Sequence, residues 1–317
     1  MAFNRQENIL MHHPLVSIVM CTYNGEKFVE EQLLSLQNQS YSHLEIIIAD
    51  DVSSDNTYAI LEKYASKDQR IRLFRNEKNL GYSGNFRSAF NKTTGAYIAI
   101  CDQDDVWHPE KIKVMLNNWK PGAPLNYCNS VRFTDNVPVD AKDNPLYRRF
   151  EGTDARKLAV FNTISGHAML FERKFLSMIH DFPDHLMYDW WAGVVAAYNG
   201  GVSYVPDILV YQRVHGNNVS VGKGFTHLDK AYKNDFNQMV NNHLKAFALV
   251  HNIPDAHSRF FKQLQELWEQ AMDKSFSWPL FVFLFSNRHI IFWYKRKRIS
   301  FFSHLKHSYK LASNRNA

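Results

Sequence analysis

The chain has 317 residues, is 45% hydrophobic and 14% aromatic, and carries 37 Lys+Arg against 31 Asp+Glu, a formal net charge of +6. This excludes a wholly disordered chain and supplies apolar mass for one large domain, or one domain with a helical appendage. Its three cysteines, Cys21, Cys101 and Cys128, are far apart and form no Cys-x-x-Cys pair, which argues against a disulfide framework or zinc ribbon and fits a reducing compartment.

The opening "MAFNRQENILMHHP" lacks the apolar stretch of a signal peptide. No run approaches the roughly 20 apolar residues of a spanning helix, so a cytosolic chain is expected. "LVSIVMC" (Leu15–Cys21) predicts a strand ending in the turn Thr22-Tyr23-Asn24-Gly25. "KFVEEQLLSLQ" predicts a helix, "LEIIIAD" (Leu44–Asp50) a second strand, and Ser54-Asp55 the N-cap of a helix through Tyr64. "IRLFR" (Ile71–Arg75) reads as a third strand, "GNFRSAFNKT" as a helix and "AYIAI" (Ala96–Ile100) as a fourth strand. "HPEKIKVMLNNW" is expected to be helical with Pro109 in its first turn. Residues 120–163 read as irregular. "HAMLF" (His167–Phe171) predicts a strand, "YDWWAGVVAAY" (Tyr188–Tyr198) a helix, and "VSYVPDILVYQRV" two short strands around Pro206-Asp207. Beyond Phe225 the pattern is helical.

Strand–helix alternation with continuous apolar strands implies an α/β fold with a parallel sheet covered on both faces. Such sheets bind ligands beyond the carboxyl ends of their strands. Three polar clusters fall there: "CTYNG", "ADDVSSD" and "CDQDDVW". The domains expected are an N-terminal extension (1–13), a catalytic domain (14–225) and a helical, basic and aromatic C-terminal region (226–317).

Asp102 and Asp104 form an Asp-x-Asp, and Asp105 follows directly. Carboxylates held together repel and resist ionisation unless a cation lies between them. Mg²⁺ or Mn²⁺ takes such oxygen ligands and shares them with substrate phosphates, so a diphosphate-bearing substrate is the natural partner. A lone Asp-x-Asp is more often a solvated turn or a helix N-cap. A calcium loop fits worse, because Trp107 and Lys113 stand where Gly and Glu are needed.

The segments "VSIVMCTYNGEKF", "LEIIIADDVSSDNT", "NLGYSGNF" and "CDQDDVW", in that order, resemble the nucleotide-sugar-binding half of family 2 glycosyltransferases with the GT-A fold, a Rossmann-like sheet flanked by helices. "YDWW" and "QRVHGNN" resemble the bacterial subgroup containing many rhamnosyltransferases of O-antigen and cell-wall polysaccharide assembly. The resemblance covers about Pro14 to Val221; its motifs are weak singly and specific as an ordered set. It implies that Thr22 and Tyr23 hold base and ribose, that Asp50 and Asp51 contact the base, and that Asp102 and Asp104 hold ribose and the metal–diphosphate. It also implies Asp189 as general base and His215 in contact with metal or diphosphate. The implied donor is a nucleotide diphosphate sugar. Deoxythymidine-diphosphate rhamnose is suggested by the subgroup, with a uridine-diphosphate hexose or N-acetylhexosamine left open. The acceptor is a saccharide or an undecaprenyl-linked saccharide. Three positions depart from the pattern: Val52 replaces Gly or Ala, Cys101 replaces Ser, and Gln212 replaces the Tyr before Arg213.

The chemistry stands beside the resemblance. Sugar transfer needs a leaving group whose charge is neutralised, a metal's role, and an acceptor hydroxyl whose proton is removed, a carboxylate's role. One base and a single displacement predict inversion at the anomeric carbon. Asp189 begins a predicted helix beside Trp190 and Trp191, whose rings are expected to stack on the acceptor sugar; by itself it fits an N-cap equally well. His215 in "VHGNN" reads either as a turn residue or as a ligand, and Arg213 either as a phosphate contact or as half of a core ion pair. Asn85 and Arg87 are expected to line the donor pocket, although loop closure alone explains Gly81 and Gly84.

From Lys274 to Ala317 there are nine Lys/Arg and no Asp or Glu. "FSWPLFVFLFSNRHIIFWYKRKRISFF" mixes aromatics with Lys295-Arg-Lys-Arg298, which fits an anionic membrane surface. A helix packed on the catalytic domain is the alternative. No nucleic-acid module is recognisable. Rival functions are a sugar nucleotidyltransferase, whose Gly-rich, Arg-containing loop "CTYNGEKF" does not supply, and a non-catalytic nucleotide or carbohydrate module.

Overall fold

The computed structural model describes residues 13–143, 147–183, 186–216, 230–251, 253–295 and 301–313, with backbone alone at 230–234. All but the last residue of the expected N-terminal extension, Asn217 and Asn218 of the "HGNN" turn, and 296–298 of the basic run lie outside these. Backbone contacts divide the chain into two compact units. The first comprises Met1–Asp143, Ser165–Asp184 and Val202–Asn218; the second comprises Asn144–Ile164, His185–Gly201 and Val219–Ala317. The chain passes between units several times, whereas the sequence reading places one boundary after residue 225.

The first unit is built on an eight-stranded sheet of order β3-β2-β1-β4-β7-β6-β8-β5. Its first half alternates as expected: β1 (Val16–Thr22), α1 (Val29–Gln37), β2 (Leu44–Asp50), α2 (Thr57–Ala65), β3 (Ile71–Arg75), α3 (Gly81–Phe90) and β4 (Tyr97–Cys101). β1 pairs in parallel with both β2 and β4, and β2 with β3. β2 is buried at every position because both faces are covered, which is why its sequence is a continuous apolar run. α1 turns Val29, Leu33 and Leu36 onto Ile18, Met20 and Ile46. Each such fully buried side chain stabilises by about 1.5–3 kcal/mol. Strand order reverses at β1, so the carboxyl ends of β1 and β4 flank a topological switch point, the place where open α/β sheets take ligands.

The second half corrects the all-parallel expectation. β5 (Val106–Trp107) is a short edge strand and is followed by α4 (Lys111–Asn117). β6 (Leu125–Phe133) occupies part of the stretch read as irregular. Its polar residues broke the apolar pattern, yet they are buried with partners: Asn126 Nδ2 donates to the Met115 carbonyl at 2.9 Å and Asn129 Nδ2 to Asp143 at 2.9 Å. β7 (Met169–Glu172) runs antiparallel to both β4 and β6. It is followed by the single-turn helix α5 (Leu176–Ile179). His167, expected in this strand, instead lies in a 3₁₀ turn over Gly166–Ala168. β8 is one strand, Val202–Arg213, not two; its register with β6 jumps from Cys128↔Val205 to Asn129↔Ile208. Pro206, which has no N–H, and Asp207 form the bulge.

The second unit is helical. It contains a 3₁₀ turn at Ala155–Leu158, α6 (Tyr188–Tyr198), α7 (Lys230–Phe247), α8 (Asp255–Ala271), α9 (Trp278–Ser286), α10 (Arg288–Ile291) and α11 (Phe301–Ala312). α8 buries Phe260, Phe261, Leu264, Trp268 and Ala271 along one stripe, the spacing of an amphipathic helix. Ser277 caps α9, its Oγ accepting the Leu280 N–H at 3.4 Å, with Pro279 in the first turn. Among the described residues, no helix is long and apolar enough to cross a membrane.

Candidate active site

The end of β1 is tied to the end of β2. Thr22 Oγ1 donates to Asp50 Oδ1 at 3.1 Å. Asp50 is fully buried and also accepts the Ser53 N–H at 3.0 Å and Oγ–H at 2.5 Å, with Arg75 Nε 3.5 Å away. Asp51 accepts the backbone N–H groups of Leu80 and Gly81 at 2.8 and 2.9 Å and Asn76 Nδ2 at 2.8 Å. It therefore anchors the loop that opens α3, and its negative charge lies at that helix's positive end. Between the two acids and Ser53, Val52 is held at φ +64, a left-handed conformation that a β-branched residue adopts only under constraint. Asn85, expected in the donor pocket, is a buried strut. It donates to the Ala49 carbonyl at 2.9 Å and accepts from Asn76 at 3.0 Å. Arg87 donates to the Phe182 carbonyl at 3.1 Å.

The "CDQDDVW" loop leaves β4 beside the end of β1. Gln103 grips the backbone of half-exposed Tyr23 from both sides: Tyr23 N–H donates to Oε1 at 2.9 Å, and Nε2 donates to the Tyr23 carbonyl at 3.1 Å. A Cβ on Gly25 would stand 2.4 Å from Gln103 Oε1, so this approach requires glycine.

The acids that flank Gln103 face two histidines. Asp104 Oδ2 lies 2.7 Å from His215 Nε2, and the His215 ring stacks on Phe28 at 4.7 Å between centroids. Burial, then the neighbouring Asp102, raises the Asp104 pKa. On the other side, His167 Nδ1 lies 3.7 Å from Asp102 Oδ2 and 3.8 Å from Asp105 Oδ2. Donor atoms of Asp102, Asp105 and His167 all lie within 4.8 Å of one another. Burial raises the Asp105 pKa; it also opposes charge on His167, but Asp105 and then Asp102 outweigh it and hold the imidazole above its ordinary range. Lys111, wholly buried, donates to the His167 carbonyl at 2.9 Å and sits 3.2 Å from the Trp107 ring centroid; burial lowers its pKa to about 8.

Arg213 resolves to the packing role. Its N–H donates to Asp105 Oδ1 at 3.1 Å, its Nε to the Asp104 carbonyl at 3.0 Å, and its guanidinium pairs with Glu31 between the rings of Phe28 and Phe133. Clamped between helix and sheet, it holds the acidic loop in place.

The sequence reading did not single out His167 as a site residue. Nothing in its spacing links it to acids more than 60 positions earlier. The signal is in the pairing of β4 with β7: carried past Ala99↔Leu170, the antiparallel register sets Asp102 opposite His167.

Asp189, Trp190 and Trp191 belong to the second unit. Asp189 is half-buried in the first turn of α6, where its Oδ1 accepts the Trp190 N–H at 2.6 Å; Met187, not Asp189, is the N-cap. Trp190 departs from the expected acceptor platform. It is 2% exposed, donates through Nε1 to the Leu158 carbonyl at 2.5 Å and stacks on His243 at 4.4 Å. The helix turns this ring into the core. Trp191 is half-buried, and its Nε1 has no hydrogen-bond partner among the described residues.

A parallel β3-β2-β1-β4 half-sheet, acids beyond its carboxyl ends and an antiparallel continuation define the GT-A class of nucleotide-sugar enzymes. Solved structures agree on the fold. The protein is similar to TarS (residues 1–349) of S. aureus in complex with UDP-GlcNAc, with TM-score 0.58 and 19% identity over 87% of this chain and 81% of that one. It is also similar to the mannosyltransferase PcManGT of Pyrobaculum calidifontis in complex with GDP-Man and Mn²⁺, with TM-score 0.58 and 17% identity over 84% and 75%. In sequence it is 28% identical over 224 residues to an uncharacterized glycosyltransferase of Haemophilus influenzae, covering 65% of this chain and 68% of that protein. It is 28% identical over 244 residues to the chondroitin synthase of Escherichia coli, covering 74% of this chain and a third (33%) of that protein. Residues 17–178 match the profile of glycosyl transferase family 2. The chain belongs to this family and is a glycosyltransferase.

Proposed function

We propose that the protein is an inverting, divalent-metal-dependent transferase that moves a sugar from a nucleotide diphosphate sugar to a saccharide or undecaprenyl-linked acceptor, in the building of a bacterial surface polysaccharide. The observation that carries this reading is the convergence of Asp102, Asp104, Asp105, His167 and His215 on one loop at the switch point.

The residues fit a metal. Asp105 Oδ2 and His167 Nε2 are buried and have no hydrogen-bond partner among the described residues, and burial, reinforced by neighbouring carboxylates, raises the pKa values of Asp104 and Asp105. Asp102, with Asp104–His215 on one side and Asp105–His167 on the other, would hold Mg²⁺ or Mn²⁺ through oxygen and imidazole donors. When bound, the ion supplies Lewis-acid stabilisation of the departing nucleoside diphosphate. Tyr23, half-exposed and gripped by Gln103, borders the donor site. The closed hydrogen-bond sets of Asp50 and Asp51 hold the floor against which base and ribose rest. Asp189 takes the acceptor hydroxyl proton; support comes from its matching "YDWW" residue type and its half-buried place in the first turn of α6. Rhamnose as the transferred sugar rests on the subgroup resemblance, and the polysaccharide setting on the chondroitin synthase relative.

The test is donor turnover with Mn²⁺ across deoxythymidine-, uridine- and guanosine-diphosphate sugars, followed by NMR of the product anomer. Asp104→Ala and Asp189→Asn are expected to lower turnover by about 10²-fold or more in folded protein. Donor binding without turnover in the wild type would instead leave a nucleotide-binding module, and retention of configuration would remove the single-displacement mechanism.

A further inference from the structure

α11 is built inside out. The positions it turns toward the protein are His304, Ser308 and Ala312, spaced four apart and buried. Those it turns outward include Phe302 and Tyr309, which are 76% and 51% exposed; Phe301, at the start of the helix above His304 and Ser308, is also 58% exposed. A helix that stabilises its own unit by apolar burial has the opposite arrangement. α9, which packs on α11, is apolar on both faces: Leu280, Phe283 and Leu284 are buried, while Trp278 is 64% and Val282 45% exposed. The exposed rings are joined into one continuous strip through the half-buried Phe276, Phe281 and Phe285. Contacts run from Phe276 to Trp278, Phe281, Phe285, Phe301 and Phe302, with successive centroids 5.2–6.1 Å apart. Tyr309 stacks on Phe276 at 5.2 Å.

The charges of the segment from Lys274 onward, which carries this strip, have one sign, and the exposed Asp273 directly precedes it. Lys306 and Lys310 stand exposed on the same outward face of α11 as Phe302 and Tyr309, and no Asp or Glu occurs between Lys274 and Ala317. An apolar strip on a segment whose own charges are all cations disfavours a second copy of itself, because facing patches would bring like charges together. It matches an anionic bilayer surface, where rings enter the headgroup boundary and lysines reach phosphate. At nine residues, α9 is about 13.5 Å long, far short of the roughly 30 Å hydrocarbon core, so the contact is interfacial.

We propose that the outward faces of α9 and α11 dock on an anionic lipid surface, with Trp278, Phe301 and Phe302 as inserted anchors and Lys306 and Lys310 as headgroup contacts. This goes beyond glycosyl transfer and gives the enzyme a place beside lipid-linked acceptors.

The test is cosedimentation of the full chain with phosphatidylcholine vesicles, with and without phosphatidylglycerol, near physiological salt. The wild type is expected to bind anionic vesicles about tenfold or more tightly than zwitterionic ones. F301S/F302S should lose about tenfold in binding, and K306Q/K310Q should lose the anionic preference. All four side chains are exposed, so melting temperatures should stay at the wild-type value. A wild type that stays in the supernatant with both vesicles, or a correctly folded F301S/F302S that binds like wild type, overturns the proposal. So does a dimer that F301S/F302S dissolves without any vesicle binding, which assigns the strip to a second copy. Vesicle binding needs neither donor nor turnover, so its failure leaves the transferase reading untouched.

Discussion

Asp105→Asn should stabilise the metal-free protein while removing its response to metal. The carboxylate is 1% exposed; Oδ1 accepts the Arg213 N–H at 3.1 Å, and Oδ2 lies 3.8 Å from His167 Nδ1. Burial pushes its pKa from 3.8 up to about 7; His167 pulls it down, and Asp102 and Asp104 push it up. Between about pH 4 and 7 the folded chain therefore keeps a proton that the unfolded chain has released, and this group's contribution falls as pH rises. His167, held above its ordinary range, acts in the same direction: its stabilisation is present below the unfolded pKa and is lost as pH rises through the folded one. At about 1.4 kcal/mol per unit, the Asp105 gap amounts to roughly 4 kcal/mol at neutral pH. Asn keeps the Oδ1 acceptor and removes the charge, but it also takes away one of the two acids beside His167, so a net gain of about 2–4 kcal/mol at pH 7 is expected. The assay is urea unfolding from pH 4.5 to 7.5 in EDTA and again with Mn²⁺. The difference between Asp105→Asn and wild type should grow with pH in EDTA. It should shrink or reverse in Mn²⁺, because the ion stabilises the form that binds it. A variant less stable than wild type in EDTA at pH 7, or a difference independent of pH, would refute the reasoning.

Three further outcomes are expected. Val52→Gly releases a φ of +64 and should raise stability by about 1 kcal/mol, the strain relieved exceeding the added freedom of glycine, as read from unfolding midpoints. Trp190→Ala should lower stability by about 3–5 kcal/mol, as read by thermal unfolding; a stable variant with only a weakened acceptor KM would restore the acceptor-platform role. Asp68 accepts Arg70 Nε and Nη2 at 3.0 and 2.8 Å, and these bonds hold its pKa at about 2. Its contribution is present above about pH 4 and disappears toward pH 2. Asp68→Asn should remove about 1–2 kcal/mol at pH 7, allowing for the solvent exposure of Arg70, and should flatten that part of the acid limb.

Local pattern alone determined β1 to β4 and the helices between them. Strands buried on both faces must be apolar throughout, and helices covering a sheet must be apolar on one stripe, so the fold writes itself into neighbouring residues. The acidic clusters at those strand ends were legible for the same reason, because a parallel sheet puts every carboxyl end on one rim. β6 was not legible, since Asn126 and Asn129 find hydrogen-bond partners only once α4 and the segment after β6 fold back beside them. The roles of Asp50, Asp51, Asn85, Arg213 and Trp190 likewise came from their partners rather than their residue types. His167 meets Asp102 only because an antiparallel strand joins the sheet next to β4, and the outward aromatics of α9 and α11 could be told from core only once their buried neighbours were known. Short-range periodicity carries information about which face an element buries; which long-range partner meets that face is decided by strand pairing and helix packing.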